Sequence, residues 1–330
     1  MKTRKTNSKK QNFSSSRRNL LKASATGAAL FSLSGLTLFS PRARAATITY
    51  NFVAESYTKT MVDGVDITAW RFRDLNGANS GPGELSAGIV AQEGDNIVIN
   101  LTNNLNTSIQ FDIPGLVENQ GLLNSGASAT INFAVPQAGS YLFRDNKVSE
   151  FGQAMGLTGP MIVMPGDGSQ TLYTGGPAFD RQYTLVLNDF DDRLNAATAS
   201  GQSYNLDNFE PNYYFVNGLS YPNTASDADT KVAMSLGEDI AIRFVNAGLL
   251  THSMHFHGYH VRVISRNRVP VTDIIDKDTV VVNPSECVDI ILPVNQLGKF
   301  PLHTHYIPAV TANGVYVNPY GGSLLIVEAT

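Results

Sequence analysis

Six histidines occur in the 330-residue chain, and all six fall between positions 252 and 305. Four of them form two His-x-His pairs: His255 with His257 in "THSMHFHGYHVRVI", and His303 with His305 in "PLHTHY". On a β-strand, residues two apart point to the same face, so each pair presents two imidazoles together. Two such pairs on neighbouring strands surround one point with four imidazoles, a donor set that suits copper, zinc, iron or nickel. The competing reading is a histidine-rich sheet face that holds no metal. His260 follows His257 at an odd offset and is expected to face away. His252 is a less direct candidate than the two pairs.

The elements around these pairs read as strands. "GDNIVINLTNNL" alternates Ile97, Ile99 and Leu101 with polar neighbours, and "SATINFAV", "GSYLFRD" and "GPMIVMP" follow at similar spacing. A second series starts after the Gly- and Pro-containing "PGDGSQTLYTGGPAFD" and runs through "RQYTLVLNDFD", "GEDIAIRFVNAG", "CVDIILP" and "GGSLLIVEA". Short strands at regular spacing with turn residues between them predict an all-β chain of two β-sandwiches. The domains are expected over 46–168 and 169–330, the length of two ordinary domains. "QEGDNIVINLTNNL" and "SLGEDIAIRFVNAG" echo each other, as do "AGSYLFRDN" and "LGKFPLHTH", which suggests a duplicated unit.

Residues 1–45 have a basic start, the pair Arg17-Arg18, a moderately apolar stretch and the small-residue end Ala43-Arg44-Ala45. This is the layout of a Tat-type export signal, so a periplasmic or otherwise exported protein is expected. The segment holds ten of the 24 Lys and Arg and none of the 28 Asp and Glu. From Ala46 onward the chain therefore carries a net charge of −14, which argues against nucleic acid as a partner. Cys287 is the single cysteine, so no intrachain disulfide can form. Asp191-Asp192 reads as a solvated turn and Met155 as a packing residue. Tyr306, Tyr316 and Tyr320 are candidates for the rim of the site.

The histidine motifs resemble those of a known family. "THSMHFHGYHVRVI" is similar to the H-P-x-H-x-H-G signature of the last cupredoxin domain of multicopper oxidases, with Ser253 in place of proline. "PLHTHY" resembles their H-C-H motif. "SGPGELSAGIVAQEGDNIVINLTNNL", "LTGPMIVMP" and "YYFVNGLSYP" resemble the supporting framework. The resemblance implies two cupredoxin-like Greek-key β-sandwich domains, with copper ahead of zinc as the metal. It assigns His255 to a type 2 position, His257, His303 and His305 to type 3 positions, and His252 to a type 1 position.

The departures from the family pattern carry as much as the matches. Thr304 stands where the family keeps the type 1 cysteine, and Ala309 where it keeps a further histidine. Gln110, Asp112, Arg144 and Asn146 replace four first-domain imidazoles. Without a thiolate no blue centre is expected, and the full trinuclear cluster is not expected either. A guanidinium beside copper needs a neutralising acid, with Asp112 or Asp145 the candidates. Two functions stay open here: a non-blue copper site, mononuclear or a reduced cluster, with oxidoreductase activity, and a metal-free scaffold of the cell envelope. Asp112 is a candidate additional ligand. A metal ion, an envelope or redox protein and a homotrimer are the expected partners.

Overall fold

The computed structural model describes residues 45–77, 85–118, 120–147, 150–311, 313–314 and 321–330. The expected signal over 1–45 lies outside the described residues except for Ala45, as do Tyr316 and Tyr320. Among the described residues no helix is long and apolar enough to cross a membrane.

In the first half, one four-stranded sheet runs in the order Asp66–Asp74, Thr47–Thr60, Asn96–Asn103, Ser128–Ala134. The other runs Ile89–Gln92, Thr158–Met164, Gly139–Asp145, Phe111–Asp112. Non-consecutive strands lie side by side in both, because the chain crosses between sheets as a Greek key does. Their inner faces share one core, to which Phe52, Trp70, Phe72, Ile97 and Ile99 come from one sheet and Phe111, Tyr141, Phe143 and Met161 from the other. The Phe72 and Phe111 rings meet edge-on at 5.5 Å, and Phe111 stacks on Phe143 at 5.6 Å. Such pairs contribute about 0.5–1.5 kcal/mol beyond area burial.

The second half repeats the plan. A seven-stranded sheet contains Arg181–Phe190, Asp239–Asn246, Cys287–Pro293 and Val261–Arg266 as consecutive neighbours. A five-stranded sheet runs Val232–Met234, Leu324–Ala329, Gly298–Thr304, His252–Phe256, Thr279–Val282. The echo between the sequence halves has a topological counterpart. Asn96–Asn103 pairs parallel with Thr47–Thr60 and antiparallel with Ser128–Ala134. Asp239–Asn246 pairs parallel with Arg181–Phe190 and antiparallel with Cys287–Pro293.

A buried ion pair lies where the halves meet. Arg243 is fully buried, and its Nη1 lies 3.5 Å from Oδ2 of Asp289. Asp289 also accepts hydrogen bonds from Ser140 of the first half at 2.5 Å and from Ser265 of the second at 2.8 Å. Met155 packs, as expected; it is buried in the first core. Asp191 departs from the solvated-turn reading. It is fully buried and caps the helix Asp192–Ala199 by accepting from the Arg193 backbone N–H, and it also binds the Arg193 guanidinium and the Tyr204 hydroxyl. An N-cap carboxylate satisfies a backbone donor that the helix cannot, and the strand periodicity gave no sign of this helix.

Candidate metal centre

The candidate site is built on one antiparallel strand pair, His252–Phe256 against Gly298–Thr304. His255 faces His303, Phe256 faces Leu302 and Met254 faces Thr304. Alternation then separates two faces. Met254, Phe256, Leu302 and Thr304 turn inward, each at most 1% exposed. Burying Phe256 and Leu302 contributes about 1.5–3 kcal/mol each. A one-residue slip would put these side chains in water and the imidazoles in the core, so the apolar face fixes the register.

The outer face gathers His255, His257, His303 and His305. Ring centroids are 4.8 Å apart for His255–His257, 5.0 Å for His255–His305, 5.1 Å for His257–His303, 5.7 Å for His303–His305 and 5.9 Å for His255–His303. Nε2 of His257 lies 3.0 Å from Nε2 of His303. Nδ1 of His303 lies 2.9 Å from its neighbour's carbonyl oxygen, that of Thr304. A carbonyl only accepts, so this Nδ1 carries the proton and Nε2 keeps a lone pair. Desolvation, then the surrounding imidazoles, hold His257 below the usual histidine range. His303 is lowered for the same reasons, although its bond to the Thr304 carbonyl works the other way. Both rings are thereby kept in the neutral form that a metal requires.

The donor chemistry fits copper. Imidazole nitrogens bind such ions at about 2.0–2.1 Å, and two nitrogens 3.0 Å apart are within reach of one shared ion. Among the described residues, however, no three His, Cys, Asp or Glu side chains already converge on a common centre. The rings adjoin one another without forming a finished coordination sphere.

The structure leaves His252 outside this cluster. It turns to the inner face, is 1% exposed, and has Nε2 3.6 Å from Oδ2 of Asp189. Neither of its ring nitrogens has a hydrogen-bond partner. Thr304 and Ala309 are also fully buried, and Cys287 is buried on a strand of the other sheet. His260 is exposed. Asp112 pairs with Arg144 at 3.4 Å, directly across the strands Phe111–Asp112 and Gly139–Asp145. It is therefore the acid that neutralises the guanidinium, and its ionic partner is not a histidine. Arg144 also donates to Ser285 of the second half at 2.9 Å. Asp145 is instead held by the backbone N–H groups of Gln110 and Lys147. Tyr306 is 44% exposed beside His305, and its ring meets Tyr214 edge-on at 6.3 Å.

Two multicopper oxidase family models match the chain, over residues 76–168 and 195–319. The chain belongs to the multicopper oxidase family. Putative laccase-11 of Oryza sativa subsp. japonica is 23% identical over 236 residues, covering 66% of this chain and 42% of the relative. Laccase-7 of the same plant is 25% identical over 284 residues, covering 81% and 48%. This multicopper oxidase family member thus spans less than half the length of these curated relatives. Among solved structures, a blue copper oxidase from Nitrosomonas europaea superposes with a TM-score of 0.71 at 21% identity, covering 86% of each chain. A copper nitrite reductase from Nitrosomonas europaea gives 0.66 at 18% identity, covering 86% of this chain and 94% of that one. The shared fold is the two-sandwich cupredoxin architecture. Family membership makes copper the metal to consider and oxidoreduction the associated chemistry.

Two residues beside the cluster escaped the motif reading. Thr279 and Asp278 sit 24 and 23 positions from His255 and approach its Nδ1. Only strand pairing brings them there, so no spacing in the sequence signals them.

Proposed function

We propose that this chain is an exported copper-binding member of its family, with a single non-blue centre held by His255, His257 and His303 and adjoined by His305. The observation that carries the reading is the four-imidazole cluster on one solvent-facing sheet face, with His257 and His303 Nε2 atoms 3.0 Å apart. A bound copper ion supplies one-electron redox chemistry. The chain's own part is to keep the His257 and His303 rings neutral and to hold His303 by its backbone. Tyr306 forms one edge of the approach. Four-copper oxidase chemistry lacks support, because Thr304 is no thiolate and Gln110, Asp112, Arg144 and Asn146 are no imidazoles. Residues 1–45 serve as the Tat signal, and the two domains are those over 46–168 and 169–330. The exposed His257 and His305 suit a homotrimer in which a second copy covers them.

Elemental mass spectrometry and electron paramagnetic resonance on protein exported in copper-replete medium test this. The expected result is one copper per chain with no intense thiolate charge-transfer band, lost in His257→Ala and His303→Ala. Metal-free protein from replete medium, with no Cu(II) uptake on titration, refutes it. The Arg144–Asp112 ion pair favours a second reading, a metal-free envelope scaffold, because it replaces ligands with a structural contact. Capture of an envelope protein that persists in chelator and in His303→Ala distinguishes that case.

A further inference from the structure

Thr279–Val282 is the edge strand of the five-stranded sheet, and register sets Thr279 directly opposite His255. Oγ1 of Thr279 lies 3.0 Å from Nδ1 of His255, and the Asp278 carbonyl oxygen lies 3.2 Å from the same nitrogen. The Thr279 hydroxyl donates to Oδ1 of Asp278 at 3.1 Å. Oδ1 of Asp278 is the acceptor of that bond, so the hydroxyl proton is committed to Asp278. The hydroxyl oxygen therefore meets the imidazole with a lone pair. Both neighbours of Nδ1 are acceptors, which places the ring proton on Nδ1 and leaves a lone pair on Nε2.

We propose that Asp278 and Thr279 are positioning residues, which fix the tautomer and orientation of His255 so that Nε2 is presented for metal binding. The proposal rests on the copper reading of the cluster. Metal-binding histidines generally donate their second N–H to an oxygen acceptor, and loss of that acceptor weakens metal binding about 10- to 100-fold. His303 meets this need with a backbone carbonyl. His255 meets it partly with a side chain, the Thr279 hydroxyl, so that part of its device can be removed by substitution without disturbing the backbone.

Thr279→Val keeps the β-branched shape suited to a strand and removes the hydroxyl, while Thr279→Ser keeps the hydroxyl. Imidazole ¹⁵N spectra of the metal-free protein read which His255 nitrogen carries the proton. The expected result is Nδ1–H in the parent and in Thr279→Ser, and a mixture in Thr279→Val. Competition titration with Cu(II) should show a loss of about tenfold in Thr279→Val, at the low end of that range because the Asp278 carbonyl remains. Thr279→Ser should restore the parent affinity at an unchanged melting temperature. A parent His255 protonated on Nε2 overturns the proposal. So does a Thr279→Val protein with the parent tautomer and affinity, or an affinity loss that serine does not restore. If the parent takes up no copper, the functional reading fails, while the tautomer measurement still decides this one.

Discussion

Replacing Asp289 with asparagine tests what holds the two halves together. The change keeps side-chain size and removes one charge from a pair in which Arg243 is 0% and Asp289 2% exposed. At their 3.5 Å separation and an effective dielectric constant of about 20, the attraction is about 5 kcal/mol. Removing one partner of a buried pair costs about 3–5 kcal/mol in practice, because the other charge is left without compensation. Desolvation already lowers the pKa of the Arg243 guanidinium, and Asp289 is the first opposing influence. The amide also places a donor where the carboxylate accepted from Ser140 and Ser265. With about 2–4 °C per kcal/mol for domains of 150–250 residues, Asp289→Asn should melt roughly 6–20 °C lower by calorimetry. Urea unfolding should give the same loss. The double variant Arg243→Met/Asp289→Leu should recover much of it, since apolar replacement of a whole buried pair is often neutral or stabilising. A loss under about 1 kcal/mol, or a double variant no better than the single one, refutes the reasoning.

Two further expectations concern titration and reactivity. His257 and His303 have folded-state pKa values below the usual histidine value, so below about pH 6.5 the unfolded chain takes up protons that the folded one resists. The metal-free protein should therefore lose stability as pH falls through that region, and keep this contribution at neutral pH and above. Denaturant midpoints at several pH values should fall more steeply in the parent than in His257→Gln/His303→Gln, and parallel curves would count against the assignment. Burial pushes the Cys287 thiol far up, so an aromatic disulfide reagent should react with it only after unfolding; prompt reaction in the folded protein contradicts the burial.

The outward face of the site was legible because His-x-His spacing and apolar alternation point to the same register. Phe256 and Leu302 state which side is inside, and the imidazoles take the other. The duplicated plan was legible because matching strands carry matching turn residues. Where side chains from distant segments converge, one-dimensional patterns were silent. Thr279 reaches His255 only through edge-strand pairing. The Asp112 carboxylate was a candidate neutraliser from charge logic alone, yet its pairing with Arg144 follows from register. Asp191 was misread because an acid after a strand suggests water, whereas here it serves the Asp192–Ala199 helix, Arg193 and Tyr204 from a fully buried position.

The strand Gly298–Thr304 also acts as a partition. Its outward His303 meets solvent, while the adjacent Thr304 is sealed within the sandwich. With no sulfur at position 304, the interior offers the outer cluster no thiolate conduit. A reductant serving a metal on this face must then arrive from solution and make its own encounter. Any turnover limited by that encounter would be first order in the donor and second order overall. From Ala46 onward the chain carries an excess of 14 negative charges, so cationic donors would be drawn in and anionic ones repelled, with both effects fading as salt screens the surface. If the site carries out the proposed oxidoreduction, the salt dependence of its rate would report the charge of the donor that meets it.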